Sequence, residues 1–80
     1  MFESLKTSNK TVGIKQTLKA VEKAAVKQVF IAKDADERVV SKIKELCEKG
    51  NIQITYVDNM KQLGKACGID VGAATVSILK

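Results

Sequence analysis

Residues 13–33 read GIKQTLKAVEKAAVKQVFIAK, and the apolar period changes once along them. From Gly13 to about Val26, Ile14, Leu18, Val21 and Ala25 fall at i, i+4, i+7 and i+11, which is one apolar stripe of a helix facing a core. Lys15, Lys19, Lys23 and Lys27 fall at i, i+4, i+8 and i+12 and form a slowly turning row on another face. Gln28 to Lys33 then carries the unbroken apolar run Val29-Phe30-Ile31-Ala32, which suits an inner strand covered on both faces. A basic amphipathic helix running into a doubly covered strand is the signature of an α/β layered domain.

The lysine row has its own physics. Like charges at i, i+4 repel by about 0.2–0.5 kcal/mol per pair. A polyanion lying along the row would offset that cost, although the solvated face of an ordinary surface helix shows the same pattern. The helix start adds to the interest. Gly13 permits close approach of backbone to a ligand, and the first turn offers unpaired N–H groups and the positive end of the helix dipole.

On the N-terminal side, Phe2 and Leu5 suggest one short helical turn within residues 1–9, and Lys10 to Gly13 reads as a brief extended segment. On the C-terminal side, Asp34 and Glu37 resemble a capping box opening a helix. Val39, Val40, Ile43, Leu46 and Cys47 give that helix its stripe, and Gly50 is its natural C′ residue. Asn51 to Val57 alternates and is rich in β-branched residues, as a strand requires. Asn59 and Gln62 cap a short helix with Met60, Leu63 and Cys67 inward, Lys61 and Lys65 outward, and Gly68 at its end. A loop over 68–72 leads to a mostly buried final strand, Ala73 to Leu79. The expected architecture is a sheet of about four strands with helices on both faces, in one domain over residues 1–80.

Composition narrows the function. The chain has 80 residues with 14 Lys+Arg against 9 Asp+Glu, a net charge of +5 that favours anionic partners. Arg38 is the sole arginine, so the positive charge makes point contacts to phosphate rather than bidentate forks. No run approaches the roughly 20 apolar residues of a membrane span, and the first residues lack a signal-peptide layout. A cytoplasmic protein with no membrane partner is expected. There is no histidine, and Cys47 and Cys67 are isolated at apolar helical positions, so buried free thiols are expected rather than a metal site. No nucleophile setting, phosphate-binding glycine loop or cofactor motif appears. Asp34, Asp36 and Glu37 are explained by capping and dipole complementarity. The chain is not expected to be an enzyme or to hold a cofactor. Ile69 and Val71 in the glycine loop offer apolar surface beside charge, as unstacked RNA bases require, and both could instead close the core beneath the loop.

Leu63-Gly64-Lys65-Ala66-Cys67-Gly68 followed by Val71-Gly72-Ala73-Ala74 resembles the signature of the kink-turn RNA-binding ribosomal proteins, the L-seven-Ae family. Gly13 to Val21 resembles the first RNA-contacting motif of that family, and Val29 to Asp36 its central strand and turn. The resemblance implies a three-layer α-β-α sandwich that binds RNA duplexes bent sharply at a bulge beside tandem sheared G·A pairs. The polar residues of the family's Gly-x-Asn-Glu-x-x-Lys motif reach the G·A edges: Gly13 and Lys19 match its ends, Lys15 and Gln16 stand where Asn and Glu occur, and Ile14 between them belongs to the expected contact set. Lys-Gln at these places resembles the bacterial branch. Asp36 corresponds to an acidic position near the flipped-out bulge base and Val71 to an apolar position under it. Lys65 corresponds to a basic position near the backbone, and Ile69, Gly72 and Ala73 complete the expected contact set. The implied partner is a structured RNA with a kink-turn; relatives act in ribosomes, in guide-RNA particles and on structured leader RNAs, the ribosome being one candidate partner, and a monomer is expected. A protein–protein adaptor whose basic face binds an acidic partner is the alternative from another class.

Overall fold

The structure, a computed structural model, describes residues 9–69 and 71–80. The short N-terminal helical turn expected around Phe2 and Leu5 lies outside the described residues. In chain order the elements are β1 (Lys10–Val12), α1 (Ile14–Glu22), β2 (Val26–Ala32), α2 (Glu37–Lys49), β3 (Gln53–Val57), α3 (Met60–Ala66) and β4 (Thr75–Leu79). The four strands form one mixed sheet in the order β1-β4-β2-β3. β4 runs antiparallel to both neighbours, while β2 and β3 are parallel.

Alternation along β2 makes the layers. Val29 and Ile31 pack with Ala20, Val21, Val40, Ile43 and Cys47 under α1 and α2. Phe30 and Ala32 pack with Val57, Leu63, Cys67 and Ala73 under α3. Both faces of an inner strand are therefore dry, as its continuous apolar run demands. The expected α-β-α sandwich is the observed fold. The polar residues on the inner face of β4 are paired: Thr75 donates its hydroxyl to that of Thr17 at 3.2 Å, and the hydroxyls of Thr11 and Ser77 meet across the strands. Among the described residues no buried side-chain polar atom lacks a partner.

Several local expectations shift. Helix α1 ends at Glu22, short of Val26, because Lys23 caps it and Ala24 turns the chain at a positive φ of 55°. The early turn frees Val26 to pair with Leu79 in the sheet. It also breaks the lysine row: Lys15 and Lys19 are helical, Lys23 is the C-cap, and Lys27 lies on β2. The inward face of α1 is rotated toward Thr17, which is fully buried, and Ile14 and Leu18 are half-buried at its flank. Asp36, not Asp34, is the N-cap of α2, accepting from the Arg38 N–H at 2.9 Å. Glu37 makes no capping box; it pairs with Lys44 Nζ at 2.8 Å. Gly50 keeps a right-handed φ of −93° as C-cap, and Asn51 takes the left-handed position at φ 54°. Asn tolerates that region better than most residues. In α3 the expected cap is present, Asn59 accepting from the Gln62 N–H at 2.8 Å. Met60, expected inward, sits at the exposed rim, its N–H bound by Asp34 and its carbonyl by the Ala73 N–H.

Cys47 and Cys67 are both buried free thiols, one in each core layer. The sheet stands between them, and a disulfide needs Cα atoms within about 7 Å. Burial pushes both thiols up from their ordinary value, with Lys10 slightly opposing the shift at Cys67. A raised thiol holds less reactive thiolate at neutral pH. Alkylation of the folded protein at pH 7.5 should therefore run about 100-fold or more slower than in denaturant. Mass spectrometry of timed samples checks this, and rapid labelling of both thiols in the folded state would contradict it.

Candidate nucleic-acid interface

Strand register brings distant segments to one edge of the sheet. Val12 pairs with Val76 and Ile31 with Thr75, so β1 and β2 both end where β4 begins. Ala32 pairs with Val57, so parallel β3 ends there as well. Gly13, the 33–36 turn, the start of α3 and the loop that precedes β4 consequently line a common edge. Backbone bonds lock the arrangement: Gly13 N–H to Thr75 O at 2.9 Å, Ala32 N–H to Ala74 O at 2.9 Å, and Ala73 N–H to Met60 O at 3.0 Å.

The start of α1 is the open element of this edge. Gly13 has φ 103° and ψ 162°, a region that side-chain-bearing residues rarely adopt. Among the described residues no side chain caps α1, and its first turn carries no acidic residue, whereas α2 is capped by Asp36 and α3 by Asn59. Among the described residues the first-turn N–H groups have no acceptor, and they present the positive dipole end. Lys15, Gln16 and Lys19 project into solvent around them, and Ile14 is half-buried against the core.

The loop contributes an apolar tip on a fixed base. Val71 is 70% exposed. Ile69 packs half-buried on the core cluster under α3. Of the two roles open to these residues, Ile69 closes the core and Val71 does not. Ala73 differs from its expected place as a contact: its side chain is buried in the core and its N–H is engaged by Met60. It anchors the loop. Gly68 ends α3 at φ 79°, and Gly72 packs close over Met60. Gly64 is the residue that periodicity overlooked. A Cβ there would lie 2.0 Å from the carbonyl oxygen of Val71, so the loop crosses α3 only because Gly64 has no side chain. The available signal was a glycine inside a helix, unfavourable by about 1 kcal/mol relative to alanine and in need of a packing reason.

Charge at this edge is asymmetric. Asp36 is engaged by its capping bond and by Arg38 at 3.5 Å, Asp58 faces Lys33 at 3.7 Å, and Asp34 accepts from the Met60 N–H at 2.8 Å. Lys15, Lys19 and the exposed Lys65 make no ion pair among the described residues. Exposed cations without protein partners are available to an anion. Lys27 lies on β2, away from this edge.

Comparison with known proteins agrees with this architecture. The profile of the ribosomal protein L7Ae/L30e/S12e/Gadd45 family matches residues 2–80. The chain is 63% identical over 68 residues to RNA-binding protein TTE2299 of Caldanaerobacter subterraneus subsp. tengcongensis, covering 85% of this chain and 83% of that one. It is 59% identical over 69 residues to RNA-binding protein BH0128 of Halalkalibacterium halodurans, covering 86% and 84%. Among solved structures, the Giardia lamblia 15.5kD RNA binding protein superposes with a TM-score of 0.89 at 26% identity, covering 99% of this chain and 70% of that one. The chain belongs to the ribosomal protein L7Ae/L30e/S12e/Gadd45 family.

The crossing at Gly64 yields a specific expectation. In Gly64→Ala the methyl group meets backbone, which cannot swing aside as a side-chain tip would, so the loop must lift from α3. The gain in helix propensity is about 1 kcal/mol, and overpacking costs about 1–3 kcal/mol or more, so the variant should be net destabilised. A thermal melt with amide exchange of the Ala73 N–H checks both parts: a lower Tm together with loss of protection at that amide.

Proposed function

We propose that the chain is a non-enzymatic RNA-binding protein that recognises and stabilises kink-turns, a bulge beside tandem sheared G·A pairs. The observation that carries the reading is the meeting, at one sheet edge, of a helix start without a side-chain cap and lysines without ion pairs among the described residues, and an exposed valine on a loop packed against α3. Lysines alone would serve any polyanion. An apolar tip beside them suits an unstacked base, which a regular duplex does not offer. RNA binding is also what the names of the relatives state, and ribosomal proteins figure in the family's description, so ribosomal RNA is a natural target class.

The roles follow from position. Gly13 and Ile14 bring the α1 backbone against the G·A pairs. Lys15 donates to guanine O6 or N7, and the Gln16 amide can both accept and donate at the sheared edges. Lys19 adds a phosphate or base-edge contact one turn on. Val71 and Gly72 pack beneath the bulge base with Ile69 supporting them, and Asp36 faces that base from the neighbouring turn. Lys65 meets the backbone of the bent strand. Ala73 acts from below by holding the loop. One cytoplasmic monomer serves one kink-turn in this reading, with no cofactor.

The deciding experiment is a gel shift against a standard kink-turn and a control whose G·A pairs are replaced by Watson–Crick pairs. Preference for the kinked RNA is expected, and equal binding to both would leave only diffuse electrostatics or an acidic protein partner. Lys19→Ala should weaken binding and reduce the salt slope by about one. Its melting temperature should hardly move, since Lys19 is exposed. Lys27→Ala should have much less effect. Val71→Asp and Val76→Asp form a second pair. Val71 is 70% exposed and Val76 is fully buried. The first variant should fold and bind more than about tenfold more weakly, through lost contact and added repulsion, and the second should unfold by burying an unpaired charge. Circular-dichroism melts and gel shifts on both variants check this.

A further inference from the structure

Asp34 does something that neither its chain position nor helix capping requires. Helix α3 already has its own cap in Asn59. Asp34, from a segment 26 residues earlier, reaches across to accept the Met60 N–H at 2.8 Å. The carbonyl of the same residue, Met60, accepts the Ala73 N–H at 3.0 Å. Met60 is thus a bracket with the Asp36 turn on one side and the Val71 loop on the other. A second acceptor on an already capped turn ties two segments together rather than adding a helix. The loop's backbone lies close against α3 at Gly64 and Gly72, and the Met60 carbonyl bond joins it to the turn that carries Asp34.

We infer that Asp34 is a positioning residue for RNA recognition, fixing the Val71 tip relative to Asp36 through Met60 without touching the RNA. The inference rests on the kink-turn reading above. It differs in sign from simple electrostatics. Removing a carboxylate beside an anion-binding edge should strengthen binding if charge alone counts. Removing the bracket should weaken binding, because the loop must then be ordered when the RNA arrives.

The test compares Asp34→Ala with Asp34→Asn. The alanine variant loses charge and acceptor, and the asparagine variant loses charge but keeps a carbonyl that can accept the Met60 N–H. Asp34→Ala should bind a standard kink-turn about tenfold more weakly at equal salt, with an unchanged salt slope, and Asp34→Asn should stay within about twofold of wild type. In the free protein, amide exchange of Met60 and Ala73 should accelerate in Asp34→Ala alone. Alanine binding as well as wild type, or asparagine losing as much as alanine, would overturn the assignment. If wild type itself does not prefer the kinked RNA, the proposed function fails. The exchange measurement then decides the coupling separately, and unchanged Ala73 exchange in Asp34→Ala would refute it.

Discussion

The placement of β4 between β1 and β2, antiparallel to both, is the constraint from which the rest of the structure follows. The last strand enters between the first two, so the sheet is complete only when the C-terminal residues have arrived. Thr75, Val76 and Ser77 are fully buried there. Non-local pairing of this kind is entropically demanding, and it is repaid by two dry faces at once. It also forces the ends of β1 and β2 and the loop before β4 to one edge. The candidate interface is therefore a consequence of strand order rather than of any local motif.

Backbone approach, more than side-chain chemistry, shapes that edge. The loop crosses α3 where Gly64 presents no Cβ and where Gly72 packs over Met60. Held this closely, the loop can expose a branched apolar side chain without collapsing onto the core, and ordering it on binding costs little further entropy. Ile69 and Ala73 sit on either side of the tip and face the core. An exposed apolar residue braced in this way is suited to a ligand surface that is itself flat and partly apolar.

The electrostatic arrangement complements it. Each carboxylate of the 33–36 turn has a partner in a backbone N–H or a cation, while Lys15, Lys19 and Lys65 have none among the described residues. The lysines that remain without an ion-pair partner are thus the cations this edge presents to an anion. Lysine ammonium groups reach phosphate and guanine as compact, strongly hydrated point charges, which makes such binding steeply salt-dependent.

Much of the fold was legible in the sequence because burial imposes period. The unbroken apolar run Val29 to Ala32 required a doubly covered strand, the stripes of α1, α2 and α3 required a layer on each face, and Asn59 announced its helix by its cap. Gly13, Lys15 and Lys19 could be singled out against that period, and Val71 as an apolar residue in a glycine-containing loop and by family resemblance. Periodicity could not show where helix α1 stops, since Ala24 and Ala25 fit helix and turn equally and only pairing of Val26 with Leu79 decides. Nor could it choose between Asp34 and Asp36 as the cap, because both carboxylates suit a helix start and the second acceptor is claimed by Met60 from another element. The burial of Ala73 and the crossing at Gly64 likewise depend on atoms far along the chain. Local preference and burial period are written residue by residue and can be read in one dimension. The meeting of segments that share an edge is a property of strand order, which exists only once the sheet has formed.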